Sequence, residues 1–173
     1  MATHLIVDGY NLMGSIRGLS DRLESAREHL LHTLAAYRHR KNHPITVVFD
    51  GWKQDRSMEQ SEHRAGVQVI YSKRGEKADQ VIQRLVRQYG SDCAVVSSDH
   101  EIIAVARSYG AFVMQAQEFA SKLAASSSSS GAVPHKELDR GDDERPRRGP
   151  EKKGNPRKLP KAQRRRQSRL NRF

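Results

Sequence analysis

Four aspartates lie at or near the ends of predicted strands and the start of a predicted helix. At the end of a buried strand, as at Asp8, a carboxylate is costly unless something pairs with it. Asp8 ends the apolar run HLIVD, Asp50 ends ITVVFD, Asp99 follows AVVSS, and Asp79 lies in the segment GEKADQ. Clustered carboxylates repel one another and desolvation raises their pKa values, so a set of them requires compensation. Oxygen ligands without cysteine or histidine favour a hard cation, Mg²⁺ or Mn²⁺, over zinc. Such a cation activates a water molecule and neutralises charge on a phosphodiester oxygen.

Each acid also has a purely structural interpretation. An aspartate after a strand often caps a helix or forms a turn, and Asp50 precedes Gly51 in a typical turn dipeptide. Asp79 is equally suited to the first turn of a helix. The expected metal site therefore depends on Asp8, Asp79 and Asp99 meeting in one crevice, with Asp50 as a further ligand or a support.

Polar and basic residues beside these acids supply candidate substrate contacts. Asn11 would bond to the substrate or to a metal-bound water, or would cap its own loop. Ser97 and Ser98 would donate to a phosphate or orient Asp99, although serines at strand ends are often structural. The segment SKRGEKADQ adds three cations that would position a nucleic-acid backbone or form a solvated charged loop: Lys73, Arg74 and Lys77.

A repeated alternation of strand and helix signals places the acids. Short apolar runs typical of strands covered on both faces occur at 4–8, 45–50, 67–71 and 94–98, with a last short strand at 111–114. Helical spacing of apolar residues predicts helices at 21–41, capped by Ser20, and at 77–90, 100–110 and 116–125. Repeated β-α-β units predict a three-layer α/β/α sandwich with a mainly parallel sheet. Ligands bind such sheets at the carboxyl ends of the strands, so the acids are expected to face one crevice.

The sequence changes character at residue 126, where SSSSS begins. Residues 1–125 hold 16 Lys and Arg against 14 Asp and Glu, whereas residues 126–173 hold 15 against 6. The tail is rich in Pro, Gly and charge, so it is predicted to be disordered in the free protein, with LPKAQRRRQSRLNRF forming a helix only on a partner. A basic tail usually indicates a polyanionic partner. We expect it to tether the domain to structured RNA or the ribosome.

The remaining features predict a cytoplasmic protein without membrane contact. No apolar run approaches the ~20 residues of a membrane-spanning helix, and LIV near the N-terminus is too short for a signal peptide. Cys93 is the only cysteine, so an intramolecular disulfide is excluded. A dinucleotide-binding domain is disfavoured because no G-x-G-x-x-G follows the first strand. A haloacid-dehalogenase-like phosphatase is disfavoured because Tyr10 stands where its second aspartate is required.

Four blocks of the sequence, IVDGYNLMG, VVFDG, GEKADQVIQRLV and VVSSDHEI, resemble the YacP-like NYN domain family of PIN-like nucleases. They occur in the family order and cover residues 4 to about 120, which leaves the tail outside the resemblance. The resemblance implies an α/β/α sandwich and an endoribonuclease whose acids bind Mg²⁺ or Mn²⁺. It implies catalytic roles for Asp8, Asn11, Asp79 and Asp99, with Asp50 as a ligand or a support.

Two functions stay open at this point. In the first, the protein is an enzyme in which metal-activated water attacks an RNA phosphodiester in line. In the second, it is a module that docks RNA or a ribosomal surface without cutting. The intact set of acids favours the enzyme, because carboxylates facing phosphate bring no advantage to a pure RNA-binding protein. DNA stays open as a substrate because no element reads the 2′-hydroxyl.

Overall fold

The computed structural model describes residues 3–16, 22–51, 58–128 and 161–173. Within these ranges one sheet contains β1 (His4–Asp8), β2 (Ile45–Phe49), β3 (Gln60–Arg64), β4 (Val67–Tyr71), β5 (Cys93–Val96) and β6 (Phe112–Met114). Their order across the sheet is β3-β4-β2-β1-β5-β6. All neighbouring pairs are parallel except β3 and β4, which pair antiparallel. The expected α/β fold with a mainly parallel sheet is confirmed.

Helices follow most of the strands. The described residues form α1 (Gly9–Ser15), α2 (Leu23–Lys41), α3 (Ala78–Tyr89), α4 (His100–Ser108), α5 (Ala116–Ser128) and α6 (Lys161–Leu170). The N-cap of α2 is Arg22, not the expected Ser20, which lies outside the described residues. Helix α3 ends as expected at Gly90, whose φ is 54°.

The sequence pattern predicts neither β3 nor α1. Strand β3 has the sequence QSEHR and lies at the sheet edge with four of its five residues exposed, so it carries no apolar alternation to detect. Polar and charged residues are typical of exposed edge strands. Helix α1 has the sequence GYNLMGS, whose two glycines disfavour a helix. Asn11 therefore lies on a helix and not on the expected loop.

The two faces of the sheet bury separate cores. One face packs under α3 and α4, and its buried residues include Ile6, Val48 and Val95. The intervening strand residues point to the opposite face, where α2 and α5 pack, as shown by the Tyr37 and Phe119 rings with centroids 5.2 Å apart. Both faces are covered, which explains why the central strands read as continuous apolar runs.

The centre of the sheet is the point at which strand order reverses. The chain leaves β1 to form β2 on one side and later places β5 on the other side of β1. In open parallel sheets the crevice outside the carboxyl ends of such strands is the usual ligand site. Asp8 ends β1 and Asp99 follows β5, so the topology brings the first and last predicted acids to this crevice.

The C-terminal part differs from the sequence expectation in one respect. By contacts between residues the chain divides into two units, Met1–Ser127 and Ser128–Phe173. Within the second unit, Lys161–Leu170 forms a helix in the free chain, where a helix only on a partner was expected. Its sequence, KAQRRRQSRL, consists mostly of strong helix formers. The expected disorder of the tail otherwise falls on residues outside the described ranges and, like the domain assignment, stays a prediction.

None of the helices in the described ranges is both long enough and apolar enough to cross a membrane.

Candidate functional site

Asp8 is buried at the point where β1 ends and α1 begins. It is the N-cap of α1, and its Oδ1 accepts a hydrogen bond from the Asn11 backbone amide at 3.2 Å. Its Oδ2 accepts from the Ser97 hydroxyl at 3.2 Å. Burial raises the pKa of Asp8, and repulsion from Asp79 and Asp50 raises it further. The two hydrogen bonds lower the pKa, and the combined result is a value of about 6. Asp8 therefore caps a helix, as its structural interpretation predicts, and it also lies among other acids.

Ser97 connects the first acid to the last. Its side chain is fully buried, its hydroxyl donates to Asp8, and the same oxygen accepts from the Asp99 backbone amide at 3.1 Å. Asp99 in turn caps α4, with Oδ1 accepting from the amides of Glu101 at 2.8 Å and Ile102 at 3.2 Å. Of the two predicted roles for Ser97, the structure shows the orienting one.

Asp50 anchors the helix that carries Asp79. Its Oδ1 accepts from the Ala78 backbone amide at 2.6 Å, at the first residue of α3. The chain after Asp50 is fixed by Gly51, whose amide donates to the buried Ser72 hydroxyl at 3.1 Å. A Cβ atom on Gly51 would lie 1.8 Å from the Ser72 carbonyl oxygen, so only glycine fits this approach of β2 to β4.

Asp79 lies in the first turn of α3, half-buried. Burial raises its pKa, repulsion from Asp99, Asp50 and Glu101 raises it further, and Lys77 lowers it. These interactions place all four predicted acids in one electrostatic group. Glu101, in the first turn of α4, is a fifth acid, which was not predicted from the sequence. Its position two residues after Asp99 in the block VVSSDHEI is the signal that identifies it in retrospect.

The acid group fits a hard cation in its chemistry, and it is not a closed ligand cage. Among residues 3–16, 22–51, 58–128 and 161–173, no three carboxylate, imidazole or thiol groups lie close enough to hold a metal ion. The donors are all carboxylate oxygens, which suit Mg²⁺ or Mn²⁺. Mg²⁺ keeps several waters and is usually held by one or two carboxylates, so a closed cage is not required for it.

Asn11 and Ser98 connect helix α1 to the segment that follows β5. The Asn11 side-chain oxygen accepts from the Ser98 backbone amide at 3.0 Å, so its side-chain nitrogen is the donor group of Asn11 that this bond does not use. The Ser98 hydroxyl oxygen accepts from the Ala116 amide at 3.2 Å, at the start of α5. Its hydroxyl proton is the part of Ser98 that would donate to a phosphate.

The three predicted basic residues lie between β4 and the first residues of α3. Lys73, Arg74 and Lys77 are all exposed. Lys77 directly precedes α3 and acts electrostatically on Asp79. A cationic rim beside a group of carboxylates is a suitable arrangement for a polyanion that must approach a cation.

Comparison with known proteins gives concordant matches. The family model described as YacP-like NYN domain matches residues 5–167, so the match extends into the tail beyond the four sequence blocks. The YacP protein of Bacillus subtilis (strain 168) is 35% identical over 88 residues. Those residues are 48% of this chain and 51% of YacP, so the chain aligns with about half the length of that relative.

Two solved structures share the fold. A crystal structure of a mutant of Rae1 (YacP) from Bacillus subtilis has a TM-score of 0.61 and 28% identity, covering 75% of this chain and 79% of that one. A second crystal structure of Rae1 (YacP) has a TM-score of 0.59 and 24% identity, covering 73% and 76%. The second likeness shows the fold alone.

Proposed function

The chain belongs to the YacP-like NYN domain family, and on this premise we propose that it is a metal-dependent endoribonuclease. The family has a PIN-like, nuclease-type fold, and PIN-like domains commonly use divalent metals. The observation that carries the proposal is the environment of Asp8, a buried carboxylate repelled by Asp79 and Asp50. Acids kept together against their mutual repulsion are typical of a site that binds a cation.

The acids would hold the cation: Asp8, Asp79 and Asp99, with Asp50 as a further ligand or a support. When bound, the cation supplies an activated water and neutralises charge on the phosphodiester. The backbone hydrogen bonds to Asp8, Asp50 and Asp99 fix these carboxylates before the substrate arrives. Groups fixed in advance require little reorganisation during the reaction.

The substrate would be RNA held along the cationic rim. Lys73, Arg74 and Lys77 would bind its backbone, which fixes position and carries little sequence information. The Asn11 amide nitrogen and the Ser98 hydroxyl would donate to phosphate oxygens near the acids. The proposed substrate class is mRNA or ribosome-associated RNA.

A non-catalytic RNA-binding or ribosome-binding module is the second candidate. It is favoured by the capping roles of Asp8, Asp50 and Asp99, which give these acids a structural reason to be present. It is also favoured by the open arrangement of the acids in the described residues. The two candidates differ in whether RNA is cut.

The proposal predicts cleavage that depends on the metal. Labelled single-stranded and structured RNA should be cut by the protein in Mg²⁺ or Mn²⁺ and left intact in EDTA, because the acids alone repel the phosphodiester. Gel analysis of the products measures this. Tight binding with no cleavage in any of the three conditions would contradict the nuclease and favour the binding module.

Neutralising the basic face of α6 should weaken RNA binding and flatten its salt dependence. Arg164 and Arg165 are adjacent, Arg169 follows four residues after Arg165, and all three are exposed on α6. Changing all three to glutamine in the full chain should reduce the slope of log K against log salt by about 2 to 3, if each contacts a phosphate. RNA-binding isotherms at several salt concentrations measure the slope. The metal affinity of the acid group should be unchanged in this variant.

The matched control for this triple variant is Lys41→Gln, Arg87→Gln and Arg107→Gln. These residues are also exposed and lie on the first unit, so the net charge changes equally. An equal loss of slope in both triple variants would show a general charge effect. An unchanged slope in the α6 variant would mean that the tail does not contact RNA.

A further inference from the structure

A buried arginine lies at the end of the sheet that carries the acids. The Arg27 side chain, on α2, is 3% exposed. Its Nη2 donates to the Tyr10 hydroxyl at 2.7 Å, and its Nη1 donates to Glu24 at 3.1 Å, a residue whose own side chain is 69% exposed. Its Nε is buried and makes no hydrogen bond within the described part of the chain. Arg27 is therefore a cation that the core only partly compensates.

Three aromatic rings surround this guanidinium. Its central carbon lies 5.6 Å from the centre of the Tyr10 ring, 5.7 Å from Phe49 and 6.0 Å from Tyr71. Tyr10 and Phe49 meet edge to face at 5.2 Å, and Phe49 stacks on Tyr71 at 5.7 Å. Each ring lies at or near the carboxyl end of a strand, namely β1, β2 and β4.

Packing alone does not account for Arg27. Burying a charge is unfavourable unless every polar atom is paired, and a buried ion pair is often no more stable than apolar residues of the same size. Cation–π contacts with three rings offset part of the free-energy cost of burying the charge. The unpaired Nε increases that cost. A methionine would occupy most of this space without a charge, but it would not donate to the Tyr10 hydroxyl as Nη2 of Arg27 does.

The contacts of Arg27 lead directly to two of the acids. Tyr10 lies on α1 between Asp8 and Asn11, and Phe49 immediately precedes Asp50. Helix α1 approaches Phe49 so closely that a Cβ on Gly9 would lie 2.3 Å from the ring. Holding Tyr10 and Phe49 together therefore sets how the start of α1 lies against the end of β2.

We propose that Arg27 is a positioning residue which, acting through Tyr10 and Phe49, fixes Asp8 and Asn11 relative to Asp50. The proposal rests on the function proposed above. Arg27 does not touch the reacting atoms. Removing its guanidinium allows α1 to shift against β2, and displacements of about 1 Å near reacting groups cost up to about 10²-fold in rate.

The test compares Arg27→Met, Tyr10→Phe and the double variant in the full chain. Arg27→Met should lower kcat for metal-dependent RNA cleavage at least about tenfold. It should leave KM within about threefold, because the exposed Lys73, Arg74 and Lys77, which would bind most of the RNA backbone, lie outside α1. Tyr10→Phe should lower kcat in the same direction. The double variant should be no slower than the worse single variant, because both changes break one interaction.

Arg38→Met is the matched control. Arg38 lies on the same helix, has a buried Nε without a partner in the described residues, and packs against Gly66, which lies between β3 and β4. It should leave kcat unchanged. Strictly additive losses in the double variant, or an equal loss in Arg38→Met, would overturn the proposal. Tyr10→Phe removes one oxygen atom only, so it keeps the test decisive if Arg27→Met does not fold.

Amide hydrogen exchange supplies a readout that does not require cleavage. In Arg27→Met, exchange should rise in α1 (Gly9–Ser15) and remain close to wild type in α3, because a positioning contact is lost locally. A uniform rise over the first unit, or no rise in α1, would show that Arg27 only stabilises the core. If the wild-type protein cuts no RNA, the proposed nuclease function fails, and the exchange pattern still decides whether Arg27 fixes α1.

Discussion

Asp8→Asn is expected to lower metal-dependent RNA cleavage by about 10²- to 10³-fold, the range seen when one preorganised electrostatic group is removed from a site. Asparagine has the same size and caps helices as well as aspartate does. Its side-chain oxygen can still accept from the Asn11 backbone amide, so α1 should keep its start. The substitution removes a charge from the acid group, and it replaces the Oδ2 atom that accepts from the Ser97 hydroxyl with an amide nitrogen that can donate to the Ser97 oxygen instead. Initial cleavage rates in Mg²⁺ measure the effect.

The control for this prediction is Asp92→Asn. Asp92 is an exposed acid between α3 and β5. Its substitution changes the net charge by the same amount as Asp8→Asn, but away from the site. It should cut RNA at the wild-type rate. Wild-type cleavage by Asp8→Asn would remove Asp8 from the mechanism and would leave its helix cap as its role.

The second large effect concerns stability. In the metal-free protein, the Asp8 carboxylate should lower the free energy of unfolding at neutral pH. Burial and repulsion raise its folded pKa to about 6 from 3.8. A raised carboxyl pKa means that the folded state favours the protonated form. The contribution of protonated Asp8 to the free energy of unfolding is therefore complete below about pH 4, and it is lost as the pH rises through about 6. A shift of about two units corresponds to about 3 kcal/mol between the two limits.

Asp8→Asn should remove this dependence. In EDTA, the variant should be more stable than the wild type at pH 8 by about 3 kcal/mol at most, and the difference should shrink as the pH falls from 7 towards 4. Urea unfolding of both proteins across this range measures it, and taking the difference cancels the other titrating groups. A difference that does not change with pH would contradict the raised pKa of Asp8. Adding Mg²⁺ should stabilise the wild type more than the variant, because only the wild type retains the full acid group.

The sequence was sufficient to predict most of the framework. The runs HLIVD, ITVVFD and VQVIY are β1, β2 and β4 with boundaries within one residue of those expected. These strands are buried on both faces, so their apolar character is continuous and easily detected. The placement of Asp8 and Asp99 also followed from the sequence, because residues after parallel strands reach the same edge of the sheet.

The parts that could not be predicted depend on contacts between distant residues. The hydrogen bond from Ser97 to Asp8 joins positions 89 residues apart, and the bond from Ala78 to Asp50 spans 28. No local pattern encodes such pairs. The burial of Arg27 could not be predicted from the sequence either, because an arginine within an amphipathic helix normally lies on the solvent side. Short α1 and exposed β3 lack the apolar periodicity on which detection depends.

The three capping aspartates have a consequence for how this family changes over evolution. Asp8, Asp50 and Asp99 each hold the first turn of a helix, so selection for folding alone would retain an acid or an asparagine at these positions. Asp79 is not a helix cap, because it lies inside the first turn of α3, and its carboxylate is repelled by Asp99, Asp50 and Glu101. A descendant that no longer cuts RNA would therefore keep a capping residue, aspartate or asparagine, at these three positions. The first substitution that indicates the loss of cleavage activity would therefore be expected at position 79.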